Sequence, residues 1–156
     1  MEHAHIVRKG DGDVAEPWVL KARGRQTHGH FDFMVGEVEY HTGPPLHSHT
    51  SQSDSFFILN GTMRVQVNDE FFDIGPGDFI TIPPGVPHTF DNMIEGQGPV
   101  SVINIMTPGG YDAALEEYAA VGHGGTVDPE EISRIASRHG AVVLGPTLAE
   151  VDEVDE

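Results

Sequence analysis

Two stretches of the chain decide its fold. Residues 43–61 read GPPLHSHTSQSDSFFILNG, and residues 77–92 read GDFITIPPGVPHTFDN. Both combine short runs of β-branched and aromatic residues with glycine and proline, a pattern typical of short strands separated by tight turns. Both also contain histidine, a common metal ligand. The same two stretches therefore hold candidates for the architecture and for the chemistry.

Further strand candidates lie on both sides of these stretches at short, regular spacing. In the first, Phe31–Tyr40, acidic and apolar residues alternate as in a strand with one solvent-exposed face. The others are Phe56–Leu59, Met63–Val67, Phe71–Ile74, Phe79–Ile82, His88–Phe90 and Val100–Met106. Asn60-Gly61 between two apolar runs is a strong hairpin signal. Many short strands with no helix between them predict an all-β antiparallel sandwich or barrel.

The composition changes after Gly110. Tyr111–Val121 is rich in Ala, Leu and Glu and predicts a short amphipathic helix. A second helix is predicted to begin at the capping residue Asp128, with Pro129 in its first turn, and to stop at Gly140. A short strand over Ala141–Leu144 follows. The β-rich region is thus expected to end in short C-terminal helices.

Four segments follow from this organisation. The first 26 residues are polar and broken by glycine and proline, which predicts an irregular arm able to add a strand to a neighbouring molecule. The predicted boundaries are an arm at 1–26, a barrel at 27–110, a helical extension at 111–149 and an acidic, frayed tail at 150–156. Because this arm could add a strand to a neighbouring copy, a homodimer is expected.

The composition excludes several classes of function. The 156 residues include 25 Asp and Glu, 8 Lys and Arg and no Cys, for a formal net charge of −17. Nucleic acids and anionic membranes need a basic surface, so neither is an expected partner. Without Cys there is no disulfide scaffold, thiolate nucleophile or iron–sulfur cluster, and any metal must bind imidazole and carboxylate. Met1–Trp18 lacks an apolar signal-peptide run, so a cytoplasmic location is expected.

The histidines suggest a metal site. Two residues apart on a strand, His47 and His49 project to one face and can reach one ion together. Asp54 and His88 would complete a set of imidazoles and one carboxylate, which suits one divalent Fe, Ni, Mn, Cu or Zn ion. A second His-x-His pair occurs at residues 28 and 30. Spacing alone does not decide between the two pairs.

These residues carry a resemblance to the cupin superfamily. The first cupin motif is His-x-His, a short spacer, an acidic ligand, six residues and Gly, and residues 43–61 follow it. The second motif is matched in full by residues 77–92. The resemblance covers about Phe31–Met106 and implies a double-stranded β-helix, the small jelly-roll barrel, with a metal inside. It implies His47, His49, Asp54 and His88 as metal ligands.

One position departs from the family pattern. The usual acidic ligand is Glu, and this chain has Asp54. Aspartate is one methylene shorter, so direct ligation, ligation through water and no ligation are all open. In dioxygenase relatives the Glu also takes the proton of the substrate hydroxyl. Asp54 is expected to do the same as a catalytic base if its apolar neighbours Phe56 and Phe57 raise its pKa.

Within the cupins, one barrel followed by short acidic helices is similar to the single-barrel quercetin 2,3-dioxygenase-like proteins. This implies a metal-dependent oxygenase that uses O₂ on a flavonol-like or other aromatic enol. Residues predicted to line a pocket for this small aromatic molecule are Met34, Val38, Tyr40, Phe56 and Phe90; the alternative is that they are barrel core. Related cupins suggest two other functions, a metal-dependent aromatic polyketide cyclase or isomerase and a non-catalytic small-molecule-binding protein.

Overall fold

A computed structural model describes residues 4–122 and 128–155. At residues 154 and 155 it describes the backbone but not the side chains. The predicted arm, helical extension and tail therefore each include residues outside the described part. The N-terminal and central strands are β1 Asp13–Ala15, β2 Trp18–Ala22, β3 Asp32–Val38, β4 His47–His49, β5 Ser53–Asn60, β6 Met63–Val67, β7 Glu70–Ile74, β8 Phe79–Ile82, β9 His88–Asp91 and β10 Val100–Thr107. The C-terminal elements are α1 Asp112–Val121, α2 Pro129–Arg138, β11 Ala141–Val143 and α3 Leu148–Asp155.

The strands form two antiparallel sheets. One sheet has six strands in the order β1-β2-β3-β10-β5-β8, and the other has five in the order β11-β4-β9-β6-β7. Side chains alternate along β3, β5 and β10 between buried and more exposed positions, as expected for strands with one face on a core. Met34, Phe56 and Val102 from the first sheet share that core with Val65 and Phe90 from the second. The predicted all-β class with short C-terminal helices is confirmed.

The N-terminal arm is not irregular, and this corrects the sequence prediction. β1 and β2 form a hairpin, and β2 pairs with β3 in the chain's own six-stranded sheet. Trp18 and Leu20 of β2 belong to the core. The glycines and prolines that suggested an unpaired segment lie beside these short strands, whose stability comes from pairing and burial rather than from local propensity.

The helical extension agrees with the capping signals. The Asp128 side chain accepts a hydrogen bond from the Glu130 amide at 2.9 Å, and Gly140 follows α2 with φ 72°. α1 packs on β1, α2 on β11 and α3 on β9. The predicted frayed tail is wrong for residues 150–155, which belong to the helix α3. None of the helices in the described residues has the length and apolar character needed to cross a membrane.

Two buried charged residues attach the first helix to the sheets. The Arg23 guanidinium forms ion pairs with Asp13, Asp112 and Glu116. The carboxylate of Asp32, which is fully buried, accepts hydrogen bonds from backbone amides at the start of α1 and after β2. These contacts hold the start of α1 at the end of the barrel beside β4.

Candidate metal centre

Two paired strands of the five-stranded sheet and one strand of the six-stranded sheet bring the predicted ligands together. β4 carries His47 and His49, β5 carries Asp54, and β9 carries His88, which lies opposite His47 in the strand register. Their candidate ligand atoms all lie within 4.8 Å of one another. His49, Asp54 and His88 are buried, and His47 is half-buried. The two His on one strand and the distant His88 therefore meet as the motifs predict.

Backbone carbonyls orient two of the imidazoles. Nδ1 of His47 lies 2.8 Å from the Pro45 carbonyl oxygen, and Nδ1 of His88 lies 2.9 Å from that of Val86. Each carbonyl accepts from an Nδ1–H group, so this hydrogen bond places the ring proton on Nδ1 and directs Nε2 toward the cluster. The acceptor lies two residues before the histidine in both cases. This is the outer support that metal-binding histidines usually have.

Asp54 reaches the histidines despite its short side chain. Its Oδ2 lies 2.9 Å from His88 Nε2 and 3.3 Å from His49 Nε2. Ligand atoms at roughly 2.1 Å from one ion lie about 3.0–3.4 Å apart in octahedral or tetrahedral geometry. These separations and the donor types fit a divalent transition metal. Although the aspartate side chain is one methylene shorter than that of glutamate, its carboxylate still lies among the candidate ligand atoms.

Asn104 fixes the orientation of Asp54. Its Nδ2 donates to Asp54 Oδ1 at 2.6 Å and to the Ser55 carbonyl at 2.9 Å. One carboxylate oxygen is thereby held by β10, and the other faces the histidines. Sequence reasoning missed Asn104. A signal was present, because Asn104 takes an inward position between the buried apolar residues Val102 and Met106, where a polar side chain needs a partner.

Tyr111 forms one wall of the centre from outside the barrel. Its ring contacts the His49 imidazole edge-on, with centroids 4.6 Å apart, and its hydroxyl lies 3.2 Å from that of Tyr118. The Tyr111 amide donates to Asp32 at 2.8 Å. Among the described residues, His49 Nδ1 is one of the buried side-chain polar atoms without a hydrogen-bond partner. Sequence reasoning placed Tyr111 on a helix but had no signal for this contact.

The local electrostatics set the protonation of the centre. Burial and the neighbouring His88 and His49 lower the pKa of His47 to about 3, so its ring is neutral. Burial lowers the pKa of His88, but the hydrogen bond and charge of Asp54 outweigh burial and raise it. Neutral imidazole is the form that binds metal. The neutral ring of His47 is therefore suited to hold an ion, whereas the raised pKa of His88 makes protonation compete with metal binding at that ring.

The expected rise in the pKa of Asp54 is wrong. Burial does raise it, but hydrogen bonds with His49 and His88 outweigh burial, and the pKa lies below its ordinary value. Phe56 is in the core, and Phe57 projects outward with 37% of its surface exposed, so the two phenylalanines do not enclose the carboxyl group together. At neutral pH Asp54 is a carboxylate.

The second histidine pair and the predicted pocket residues do not belong to the cluster of candidate metal ligands. His28 and His30 are exposed, at the entry to β3, and the structure does not bring them to the cluster. Four of the five predicted pocket residues, Met34, Val38, Phe56 and Phe90, pack in the core. Tyr40 is 40% exposed and stacks on His41 with centroids 3.7 Å apart. A substrate pocket at these residues stays a prediction.

Comparison with known proteins agrees with this geometry. Residues 34–106 match the family model described as Cupin domain. The chain has the cupin fold. A similar solved structure is that of KdgF from Halomonas sp., which superposes with a TM-score of 0.58 over 72% of this chain and 99% of that one at 16% identity. At this identity the likeness concerns the fold alone.

Two curated proteins match parts of this chain. Quercetin 2,3-dioxygenase from Bacillus subtilis (strain 168) is 24% identical over 90 residues, which are 55% of this chain and 27% of that protein. An uncharacterised protein from Methanocaldococcus jannaschii is 33% identical over 58 residues, which are 37% of this chain and 45% of that protein. The chain thus spans less than half the length of either relative.

Proposed function

We propose that this cupin is a metal-dependent oxygenase of the quercetin 2,3-dioxygenase type, which uses O₂ on a flavonol-like or other aromatic enol. The convergence of three imidazoles and one carboxylate within 4.8 Å carries the proposal. The 24% identity to quercetin 2,3-dioxygenase from Bacillus subtilis supports the choice of reaction. The ligands are His47, His49, Asp54 and His88, and the ion is one divalent Fe, Ni, Mn, Cu or Zn.

A divalent ion held by these four residues would supply Lewis-acid chemistry: it would favour the ionised form of an enol hydroxyl and so raise its electron density for reaction with O₂. The chain supplies the proton acceptor. Asp54 is ionised at neutral pH, and Asn104 holds its Oδ1 at 2.6 Å while Oδ2 faces the histidines. Asp54 takes the hydroxyl proton through Oδ2. This role rests on position and ionisation, not on a raised pKa.

The aromatic substrate is proposed to bind beside the ligand-bearing strands. Phe56 lies two residues from Asp54 on β5, and Phe90 two residues from His88 on β9, so each shares a strand face with a ligand. Their rings have centroids 4.9 Å apart. Met34 and Val38 extend this apolar surface, and Tyr40 lies at its exposed margin. Because four of these side chains are buried, they must separate to admit a planar ligand.

The test is metal analysis followed by an oxygen assay. The protein is purified without added metal, its metal content is measured by elemental analysis, and O₂ uptake is recorded with a panel of flavonols and other aromatic enols. We expect one ion per chain and O₂ consumption with an enol. His47→Ala should lose both, because one of the four proposed ligands is removed. His30→Ala is the matched control, an exposed histidine of the other His-x-His pair.

The other outcomes contradict the oxygenase. Product formation from the same panel without O₂ would indicate a cyclase or isomerase, in which the ion polarises a carbonyl. Stoichiometric binding of a panel compound with no product, in air and with the ion present, would indicate a non-catalytic binding protein. Absence of metal from wild-type protein, with no uptake when each candidate ion is added, would overturn the metal centre itself.

A further inference from the structure

The two sheets end side by side at β7 and β8. β7 is the last strand of the five-stranded sheet, and β8 is the last strand of the six-stranded sheet. The turn between them is held on β5, because the Gly77 amide donates to the Ile58 carbonyl at 2.9 Å and the Ile58 amide donates to the Asp78 carbonyl at 3.1 Å. We call the opening between β7 and β8 the edge gap. The turn closes one end of it.

A first row of inward side chains joins the metal centre to the edge gap. Oδ2 of Asp54 lies 2.9 Å from Nε2 of His88, so the two sheets meet at this level. In the strand register, Asp54 lies opposite Ile82 of β8. His88 lies opposite Val67, which in turn lies opposite Glu70 of β7. The row of the metal ligands thus ends at Ile82 on one side of the gap and at Glu70 on the other.

A second, apolar row lies one step closer to the turn. The rings of Phe56 and Phe90 meet across the two sheets, with centroids 4.9 Å apart. Phe56 lies opposite Ile80 of β8. Phe90 lies opposite Val65, which lies opposite Phe72 of β7. This row therefore ends at Ile80 and Phe72, and it continues the apolar surface proposed above for the substrate.

The side chains at the edge gap are exposed although they point inward. Residues directly opposite each other on paired strands share a face of the sheet. Phe72 shares its face with the fully buried Val65, and yet Phe72 is 42% exposed. Ile80 shares its face with the buried Phe56 but is only half-buried, and Glu70 is exposed. The edge gap is therefore an opening with apolar sides that leads from solvent toward the metal centre.

Resting on the oxygenase function, we propose that the aromatic enol enters through the edge gap and places its rings between Phe72 and Ile80. Its enol hydroxyl then faces the metal centre, and Glu70 accepts a hydrogen bond from a second hydroxyl group at the far end of the ligand. Glu70 lies two strand spacings from His88 along the first row, or about 10 Å. The site therefore selects neutral aromatics with several hydroxyl groups over those with a carboxylate, which Glu70 repels.

Glu70 also has a possible structural use. An inward charge on an end strand discourages pairing with another chain. That use does not depend on which hydroxyl groups a ligand carries. A comparison of two ligands that differ only in hydroxyl groups therefore separates recognition by Glu70 from protection of the strand edge.

The first test compares the binding of quercetin and 3-hydroxyflavone. Both contain the enol, but only quercetin carries further hydroxyl groups. Binding to Ni²⁺-loaded protein is measured by calorimetry without O₂. Glu70→Ala should weaken quercetin binding about 10-fold and leave 3-hydroxyflavone binding unchanged, because one charge-assisted hydrogen bond is lost. Asp73→Ala, which removes an exposed carboxylate from the other face of β7, is the matched control and should change neither affinity.

The second test blocks the edge gap. The chain has no Cys, so Phe72→Cys creates a single site for a bulky maleimide. The labelled variant should bind 3-hydroxyflavone at least about 10-fold more weakly than the same variant without the label. Phe71→Cys is the matched control, because Phe71 is 53% exposed on the opposite face of β7. Elemental analysis and circular dichroism establish that the labelled proteins retain the ion and are folded.

Three outcomes would overturn the proposal. Equal changes in the affinities for the two flavonols in Glu70→Ala would exclude recognition by Glu70. Unchanged binding to the labelled Phe72→Cys variant would exclude the edge gap as the route, while O₂ uptake by the wild type would still support the oxygenase. If neither flavonol binds to the Ni²⁺-loaded wild type, the edge gap is excluded as a flavonol site, and the O₂-uptake assay with the other enols decides the oxygenase separately.

Discussion

The ring of Tyr111 lies edge-on against the imidazole of His49, with centroids 4.6 Å apart and ring planes at 82°. Tyr111 follows the barrel and lies outside residues 34–106, the part that matches the cupin family model. Its amide is held by the buried Asp32, and its hydroxyl lies beside that of Tyr118. The C-terminal extension therefore contributes a wall to the candidate metal centre rather than only following the barrel.

Removing the Tyr111 ring should loosen this wall. Tyr111→Ala is expected to cost about 3–5 kcal/mol of the free energy of unfolding, because it empties a buried aromatic position. It should also weaken Ni²⁺ binding by about 10-fold, since His49 loses the ring that fixes its orientation. Tyr111→Phe keeps that ring and should cost only about 0.5–1.5 kcal/mol. Denaturant unfolding measures the first effect, and calorimetric Ni²⁺ titration measures the second. Equal Ni²⁺ affinity for the Tyr111→Ala variant and the wild type would contradict a role of Tyr111 in orienting His49.

Asn104 should contribute to stability through Asp54. Asn104→Leu keeps the side-chain size but leaves Asp54 Oδ1 and the Ser55 carbonyl without their donor. We expect a loss of about 1–3 kcal/mol in the free energy of unfolding of metal-free protein, because a buried carboxylate oxygen is left unsatisfied. Ser101→Ala, which removes a hydrogen bond to the exposed Glu37, is the control and should stay within about 0.5 kcal/mol of wild type. Equal losses of unfolding free energy in Asn104→Leu and Ser101→Ala would argue against a contribution of Asn104 to stability through Asp54.

Asp54 should be essential for turnover. Asp54→Asn retains the shape of the side chain but neither its charge nor its capacity to take a proton. With the enol identified by the oxygen assay, kcat should fall by at least about 100-fold. Asp73→Asn, which changes an exposed aspartate, should retain full activity. An Asp54→Asn variant with full metal content and full turnover would rule out the proton-acceptor role.

Asp91 should make the free energy of unfolding decrease as the pH rises through the range in which this residue titrates. Burial raises its pKa from 3.8 to about 6, although the Asn92 amide donates a hydrogen bond to it. Between pH 3.8 and about 6 the folded chain therefore holds a proton that the unfolded chain has lost. The contribution of Asp91 to the free energy of unfolding thus falls as the pH rises through this range, by up to about 3 kcal/mol.

The Asp91→Asn variant isolates this contribution. Asparagine does not titrate, so the difference in unfolding free energy between wild type and variant should move in favour of the variant from pH 4 to pH 6.5 and then stay level. Denaturant unfolding at several pH values in that range measures the difference. A difference that does not change with pH would show that Asp91 is ionised throughout.

The parts of the fold that the sequence predicted depend on local rules. β6 and β8 lie at the predicted residues, since side-chain alternation and the turn residues around them act over a few positions. The second helix begins and ends at its capping residues for the same reason. β1 and β2 were missed because these short strands gain their stability from pairing with β3, which local sequence does not reveal.

The sequence, through its resemblance to the two cupin motifs, already indicated which four side chains could hold a metal: three histidines and one aspartate. Only the tertiary structure decided that Asp54 reaches His88 at 2.9 Å, that Asn104 orients it and that Tyr111 covers His49. Those contacts join residues 34 to 62 positions apart. The distances between these side-chain atoms and the pKa of the buried Asp54 carboxyl depend on how the strands pack together. That packing is a property of the whole chain.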